Sequence, residues 1–579
     1  MKPFSTLLAV LAAGCLSAQS LQFSNTAYNH NLVDTCGNAK WGAGVSFMDF
    51  NGDGLDDLTI GTAAGLPVMF YVNDGQGSFE QLEPLVDLLE EIKMVLWVDY
   101  DNDGDRDLYL SVFSGYNHLY RNDGNLALTE VTQSAGLPQD HALSWGAAFG
   151  DYDRDGWLDL YFVNRQLEDY TNYLYHNEGD GTFKNVTEQL GMSDGYQPTF
   201  CALFTDINND LWPDLYLAND KQFANTLFRN NGDGSFTDIS QVSGAGIVID
   251  AMNAEAGDYD NDGDLDIYVT NTPFGGNALL RNNGDETFTN VGADAGVGFY
   301  GFTWGGLFFD GDNDQDLDLY VCSMVDGAGD PNRLYRNEGD GHFDQPFPLG
   351  LQGDTIPSYA VAAGDFNQDG RLDLLVPNNA DDAVALWENQ GAAGQHWLQV
   401  SLEGVLSNRD AIGSWIEVYA DGQKWVQYSH GGQAYLAQNS HRQHFGLGEI
   451  SLVDSVVVRW PSGIVDVISG VAADQVLEVL EGGGSPLSVH STPPGAEVGR
   501  PFPNPAAETC MLAVKTDRAQ TISMQLIDGH GRPIRLQEYQ LTDREQQLEI
   551  ELRDVPNGFY YLQLIFADGS VLQPLVVLR

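Results

Sequence analysis

A nine-residue acidic loop recurs seven times along this chain, and no other feature limits its fold so tightly. The third copy reads Asp151-Tyr-Asp153-Arg-Asp155-Gly156-Trp157-Leu-Asp159 and runs on into the apolar stretch Leu160-Tyr-Phe-Val163. Asp at the first, third, fifth and ninth positions, with Gly at the sixth, gathers four carboxylates around one point, as a hard, oxygen-seeking cation such as Ca2+ requires. The copies begin at Asp49, Asp99, Asp151, Asp206, Asp258, Asp310 and Asp365, so the steps run from 50 to 55 residues. That period, with several short strands per unit, belongs to propellers or repeat arrays.

Within a unit the order is constant. A strand of small and aromatic residues such as Trp145-Gly146-Ala147-Ala148-Phe149 leads into the loop, a buried strand follows it, and a third strand, Asn172 to His176, leads to the Gly-rich turn Asn177-Glu-Gly179-Asp-Gly181. That turn makes a hairpin of the third strand and a fourth, Thr182 to Thr187. The turn recurs at Asn230, Asn282 and Asn337. Four strands repeated seven times predict an all-β chain headed by a seven-bladed β-propeller. The last unit stops after its third strand, while Leu21-Gln-Phe23-Ser-Asn-Thr26-Ala27, ahead of the first loop, has the fourth-strand pattern. The N-terminal strand is therefore expected to complete the seventh blade and cover two open strand edges.

The carboxylates predicted to hold metal are Asp49, Asp53 and Asp57 in the first loop, Asp99, Asp101, Asp103 and Asp107 in the second, and Asp151, Asp153, Asp155 and Asp159 in the third. The fourth loop offers Asp206, Asp210 and Asp214, the fifth Asp258, Asp260, Asp262 and Asp266, the sixth Asp310, Asp312, Asp314 and Asp318, and the seventh Asp365, Asp369 and Asp373. Asn51, Asn208 and Asn367 stand at position three, where an amide oxygen can still ligate but one charge is lost, so these three sites are expected to bind more weakly. Leu211 and Gln315 replace Gly at position six, where a positive φ costs a residue with a side chain about 1 kcal/mol. With both departures and Pro213 besides, loop four is the weakest expected site.

Most copies lack an acidic residue at position twelve, which separates the loops from an EF-hand. The units resemble instead the FG-GAP or VCBS repeats of integrin α-subunit propellers over roughly residues 21 to 392. The resemblance implies structural Ca2+, up to seven ions, with the position-seven backbone carbonyl as a further ligand. Those carbonyls belong here to Leu55, Asp105, Trp157, Trp212, Asp264, Asp316 and Arg371. Trp41, Trp97, Trp145 and Trp304 lie just before loops and are expected to pack between neighbouring blades.

With 26 Lys and Arg against 83 Asp and Glu, the formal charge is -57. That excludes electrostatic attraction to nucleic acid or anionic lipid and points to cations. The acid is not a mark of disorder, because 43% of residues are hydrophobic and the Asp recur at fixed places between apolar runs. Met1-Lys2-Pro3, the apolar run Leu7 to Leu16 and Ser17-Ala18 read as a signal peptide over 1–18, cut after Ala18, with Cys15 a minor lipidation candidate. No transmembrane segment follows. Cys36, Cys201, Cys322 and Cys510 have no CxxC spacing; pairing in an oxidising compartment is possible, and buried free thiols are the favoured reading.

The propeller is assigned residues 19–392. From 393 to 482 the period gives way to short alternating strands of a small all-β domain. Ser407-Asn408-Arg409-Asp410-Ala411-Ile412-Gly413, His444-Phe445-Gly446-Leu447-Gly448 and Arg459-Trp460-Pro461-Ser462-Gly463 resemble the ASPIC/UnbV domain of the cartilage acidic protein family. Asn408, Arg409, Asp410, His441, Arg442 and His444 form a polar set for which two readings stand, a ligand-binding role and, favoured, a turn network within this domain. A Gly- and Pro-rich linker takes 483–499. The last segment, 500–579, opens on Pro503-Asn504-Pro505, carries Asp528-Gly-His-Gly531-Arg532 and Gly558-Phe-Tyr560, and resembles the C-terminal sorting domain of type IX secretion in Bacteroidota. The fold class expected is a propeller followed by two small β-sandwich domains.

These features predict a secreted or cell-surface protein, exported through the periplasm, whose calcium-stiffened propeller binds an unidentified protein or glycan and whose tail engages the type IX machinery. A polysaccharide-active enzyme and an inert surface scaffold are the alternatives. No Gly-x-Ser-x-Gly, His-Glu-x-x-His or carboxylate pair outside the loops asks for catalysis, so no catalytic residue is assigned.

Overall fold

The computed structural model describes residues 21–483 less 140–142, 166–171, 194–196, 325–331, 346–350, 352–355, 379–381 and 392–393, and most of 496–577. The signal peptide, Cys15, the body of the linker and the Pro503-Asn504-Pro505 motif lie outside the described residues. The chain is all-β, with 48% of residues in strands and 2% in helices.

Seven sheets carry the acidic loops; the second to sixth are antiparallel meanders of four strands taken in order, while the first gains a fifth strand and the seventh takes its fourth strand from the N-terminus. In the third, Ser144–Gly150, Asp159–Asn164, Tyr173–Asn177 and Phe183–Asn185 pair successively. The first two strands are buried along their whole length, which is why they read as continuous apolar or small-residue runs rather than as an alternation. The small residues answer to a close approach between sheets. A Cβ on Gly146 would come within 2.7 Å of the Phe200 carbonyl oxygen in the next repeat, and one on Gly305 within 2.8 Å of that of Tyr359.

The N-terminal strand behaves as its sequence predicts. Phe23–Asn25 pairs antiparallel with Ala385–Asn389, with Phe23 opposite Asn389, and supplies the fourth strand of the sheet that contains Ala362–Gly364 and Asp373–Val376.

The tryptophans divide. Trp97 stacks on Phe50 of the preceding repeat at 4.8 Å and meets Phe70 at 6.2 Å, so it packs between sheets as expected. Trp41 instead stacks on Trp145 at 5.4 Å and on Trp304 at 5.9 Å, with Phe200 edge-on to all three. The starts of the first strands of several repeats therefore meet in one aromatic cluster, a convergence that repeat-by-repeat reading does not supply.

The second module has a three-stranded sheet (Gln443–Gly448, His396–Glu403, Gln475–Leu480) and a four-stranded one (Gln423–Tyr428, Trp415–Ala420, Leu452–Arg459, Val465–Ala472). Leu398, Val400, Ile416, Val418, Phe445 and Val456 fill the core between them. One segment of this module leaves it. Residues 429–440 enter the space between the seven sheets, where Ala437–Gln438 adds a parallel strand beside Val45–Met48. There Tyr435 lies 5.3 Å from Trp304 and donates a 2.8 Å hydrogen bond to the Trp41 carbonyl. The Gln438 amide accepts from Ser46 Oγ and from the Trp97 N–H and donates to the Trp97 carbonyl. The third module has sheets of three and four strands around its own core, including Leu512, Ile522, Leu526 and Leu562. Cys36, Cys201, Cys322 and Cys510 are buried and form no disulfide.

Candidate metal centres

All seven loops share one backbone path, and the position-one Asp imposes it. Its Oδ1 accepts the N–H of position five at 3.0–3.2 Å. Its Oδ2 accepts the N–H of position six at 2.8–3.0 Å. Position six has φ between +69° and +102° in every copy, Leu211 and Gln315 included. The left-handed turn expected there is thus kept even where no glycine eases it. Position four is left-handed as well, with φ from +56° to +76° across Gly52, Asn102, Arg154, Asn209, Asn261, Asn313 and Gln368. The sequence reading missed that second turn, although six of its seven residues are Gly, Asn or the Asn-like Gln.

Position nine ties the loop to the rest of its repeat. One oxygen of Asp57, Asp107, Asp159, Asp214, Asp266, Asp318 and Asp373 accepts the backbone N–H of the Asn that opens the Gly-rich turn, at 2.7–2.9 Å. In six repeats the amide of that Asn then donates to the position-two carbonyl of the loop one repeat earlier. The bonds run from Asn177 to Tyr100, Asn230 to Tyr152, Asn282 to Ile207, Asn337 to Tyr259, Asn389 to Gly311 and Asn73 to Phe366, at 2.7–2.9 Å. The last of these joins the first repeat to the seventh. Sequence reasoning took these asparagines for turn formers only; the recurrence of an Asn 15 to 19 residues after position nine in every repeat was the available signal.

In the loops where four carboxylates are present, three of the four converge. Oxygens of Asp99, Asp101 and Asp107, of Asp151, Asp153 and Asp159, of Asp258, Asp260 and Asp262, and of Asp310, Asp312 and Asp314 lie within 4.8 Å of one another in each group. Burial, reinforced by neighbouring carboxylates, pushes Asp107 up to about 10 and Asp57 to about 8, and holds Asp266 and Asp318 well above the carboxylate range. Without a counter-charge, such clusters resist ionisation.

Every loop also retains at least one buried oxygen with no hydrogen-bond partner at a predicted ligand position, and loop four has a second on Asn209. In loops two to six the ligand-position oxygen is at position three, on Asp101, Asp153, Asn208, Asp260 and Asp312; in loops one and seven it is at position nine, on Asp57 and Asp373. A buried polar atom left without a partner is costly, and here seven of them stand at predicted ligand positions. The residues present therefore fit a divalent cation, and several of these acidic clusters could hold one.

The second module sits against all seven loops. Arg442 donates to the Gly54 carbonyl, Asp410 accepts the Asp99 N–H at 2.7 Å, and Arg154 donates to the Pro461 carbonyl. The Trp415 indole donates to Asp206 Oδ2 at 2.7 Å, and Lys424 lies over Gly263. His444 Nε2 is 2.8 Å from Asn313 Oδ1, and the Gln399 amide donates to Asp365 Oδ2 at 2.9 Å. Of the polar set read as an internal network, Asn408 fits that description by bonding to Ile412, and His441 by facing Ser401. Arg409, Asp410, Arg442 and His444 reach the loops instead, because the edge that carries them is the one laid on the repeats.

Comparison with known proteins agrees with this division. The FG-GAP-like repeat family matches residues 49–110, 99–162, 162–217, 206–269, 258–321 and 310–376, and the FG-GAP repeat matches 358–396. The ASPIC and UnbV family matches 404–486 and the secretion system C-terminal sorting domain 500–578. Cartilage acidic protein 1 of Homo sapiens is 28% identical over 482 residues, 78% of this chain and 64% of that protein. The Xenopus tropicalis protein is 28% identical over 312 residues, 51% of this chain and 46% of its own length. The chain thus spans from about half to under two thirds of these relatives. Among solved structures, the V. cholerae biofilm matrix protein Bap1 aligns over 96% of this chain and 69% of its own at 12% identity, with a TM-score of 0.28, a likeness too slight to carry an argument. None of the matched families is enzymatic.

Proposed function

The chain belongs to the FG-GAP-like repeat family, and we propose that its repeats close into one seven-bladed β-propeller, held by up to seven structural Ca2+, that serves as a binding or adhesion protein. Its sorting domain indicates type IX export to the secreted or outer-surface side, and no helix among the described residues is long and apolar enough to cross a membrane. The Asn73 to Phe366 bond and the pairing of Phe23–Asn25 with Ala385–Asn389 support closure. The domain limits proposed are 19–392, 393–482 and 500–579.

The observation that carries the calcium reading is the unpartnered oxygen in every loop. Carboxylates at positions one, three, five and nine and the carbonyl at seven would hold the ion, with Asn51, Asn208 and Asn367 supplying amide oxygens. Bound there, a divalent cation supplies the positive charge the clustered carboxylates lack. Because the folded loops gather ligands that an unfolded chain scatters, binding adds to folding stability. The second module covers the loop face, so the ligand-presenting surface is the composite of propeller and second module rather than the loops themselves.

Calorimetric titration of the chelator-stripped chain with Ca2+ tests this reading. Several sites should appear, with those of loops one, four and seven weakest; no heat above that of a Ca2+-independent control protein would contradict it.

A further inference from the structure

Between loop two and the second module, beside the bond from the Asp99 N–H to Asp410, the packing leaves open a cavity of about 280 Å3. Asp99, Gly104 and Arg106 wall it on one side; Ser401, Glu403, Arg409, Asp410, His441 and Glu478 wall it on the other. It opens to solvent beside Glu403, whose side chain is 42% exposed, and the exposed Glu478. Leu402, with the largely buried Val479 and Leu480, supplies a small apolar patch.

The charges here are committed to one another. Arg106 donates to Asp410 at 3.2 Å and to the Asp49 carbonyl at 2.7 Å. Arg409 donates to Glu403 at 2.7 Å, and its Nε is 3.6 Å from Asp99. Gly104, at φ +102°, lets the Arg409 guanidinium lie on the loop: a Cβ there would be 3.4 Å from its Cζ. Ser401 Oγ and His441 Nε2 meet only at 3.4 Å, a long contact that leaves both with bonding capacity to spare. Burial, with Arg106 and Arg442 nearby, keeps the imidazole uncharged.

We propose that this cavity binds a neutral ligand carrying adjacent hydroxyl groups, a terminal sugar residue of a glycan. A guanidinium N–H beside a carboxylate oxygen at 2.7–3.2 Å offers a donor and an acceptor at about the separation of two neighbouring ring hydroxyls, one of which accepts while the other donates. Ser401 and His441 add a second neutral pair, and the apolar patch meets the C–H face of the ring. An anionic sugar would face Asp99, Glu403, Asp410 and Glu478 in a chain of net charge -57. A cationic ligand would have to take its carboxylates from Arg106 and Arg409. Convergent polar groups that fix a ligand's orientation are what gives a small-ligand site its specificity, and here they make up most of the cavity wall.

This deepens the reading of the chain as a binding protein and rests on it. The test is saturation-transfer NMR on the full calcium-loaded chain, with glucose, galactose, mannose and fucose against glucuronate and glucosamine, repeated on Ser401→Leu, which fills the cavity. At least one neutral sugar should bind, and Ser401→Leu should weaken it ~10-fold or more through lost hydrogen bonds and volume. If that variant melts early, Glu478→Trp, which narrows the mouth from an exposed position, replaces it with the same expectation. Absence of binding by every neutral sugar, or preference for glucuronate or glucosamine, overturns the proposal. Sugar binding untouched by both variants also overturns it while leaving the binding-protein reading in place, and the calorimetric titration judges calcium independently of either result.

Discussion

Loops four and five are neighbours in space, joined by a 2.6 Å bond from the Asn209 amide to Asp264, yet they solve the same turn with different means. Loop five has four carboxylates and Gly263; loop four has three, with Asn208 at position three and Leu211 at position six. Their backbones nevertheless coincide in hydrogen bonding, Asp206 and Asp258 each holding the N–H groups of positions five and six. The path of the loop is therefore set by position one and does not need the fourth carboxylate or the glycine. What the two lack in common is charge, and charge is what a cation reads. Loop four makes up part of the difference through the second module, whose Trp415 indole bonds to Asp206.

The sharpest way to break this contrast is at position three, whose oxygen makes no hydrogen bond in either loop. Asp260→Ala should cost about 2–3 kcal/mol in calcium, the scale of losing one well-occupied site, and almost nothing in excess chelator. Asn208→Ala should cost under about 1 kcal/mol under both conditions. Thermal melts of the two variants with and without chelator give the comparison directly, and equal costs in calcium would dissolve it. Next in size is Trp415→Phe, which leaves a buried Asp206 oxygen without its indole donor. It should cost about 1–2 kcal/mol, whereas a neutral result by denaturant unfolding would mean the module does not support loop four.

How much of this was legible depended on whether a feature repeats. The seven loops, the four-strand unit and the pairing of Phe23–Asn25 with the last repeat are all set by residues spaced at one period, and periodicity survives in a single sequence. The Asn staples share that period but serve two roles at one residue, and the turn role masked the other. The seat of the second module left no trace, because bonds such as Gln438 to Trp97 join segments 341 residues apart and follow no pattern. The same holds for the aromatic cluster, where Trp41 has its partners two and five repeats away.

Acidity sharpens the contrast between the loop face and the module laid on it. Burial holds His430 at about 4 and His444 at about 3, below the ordinary value of 6.5, so both stay neutral in the folded chain. His430 faces the Phe204 carbonyl, and His444 faces Asn313. The unfolded chain takes up their protons first, so the stability they contribute is complete above pH 6.5 and is lost as pH falls from there toward about 4. Wild-type melting in calcium should drop more steeply between pH 7 and about 5 than that of a His430→Gln, His444→Gln double variant; parallel curves would remove these histidines from the account. The smallest expected effect is Leu211→Gly, which relieves a side chain held at φ +69° and should stabilise by about 0.5–1 kcal/mol, less the lost apolar contact. A clear destabilisation by differential scanning calorimetry would show that packing of Leu211 outweighs its strain.

The central claim is that ions in these loops hold the repeats, and through them the second module, in place. Melting the full chain in excess chelator and in excess Ca2+ tests it most directly. With several sites each contributing about 2–3 kcal/mol, the chelated chain should melt ~10 °C or more below the loaded one, and coincident melting curves would contradict the claim.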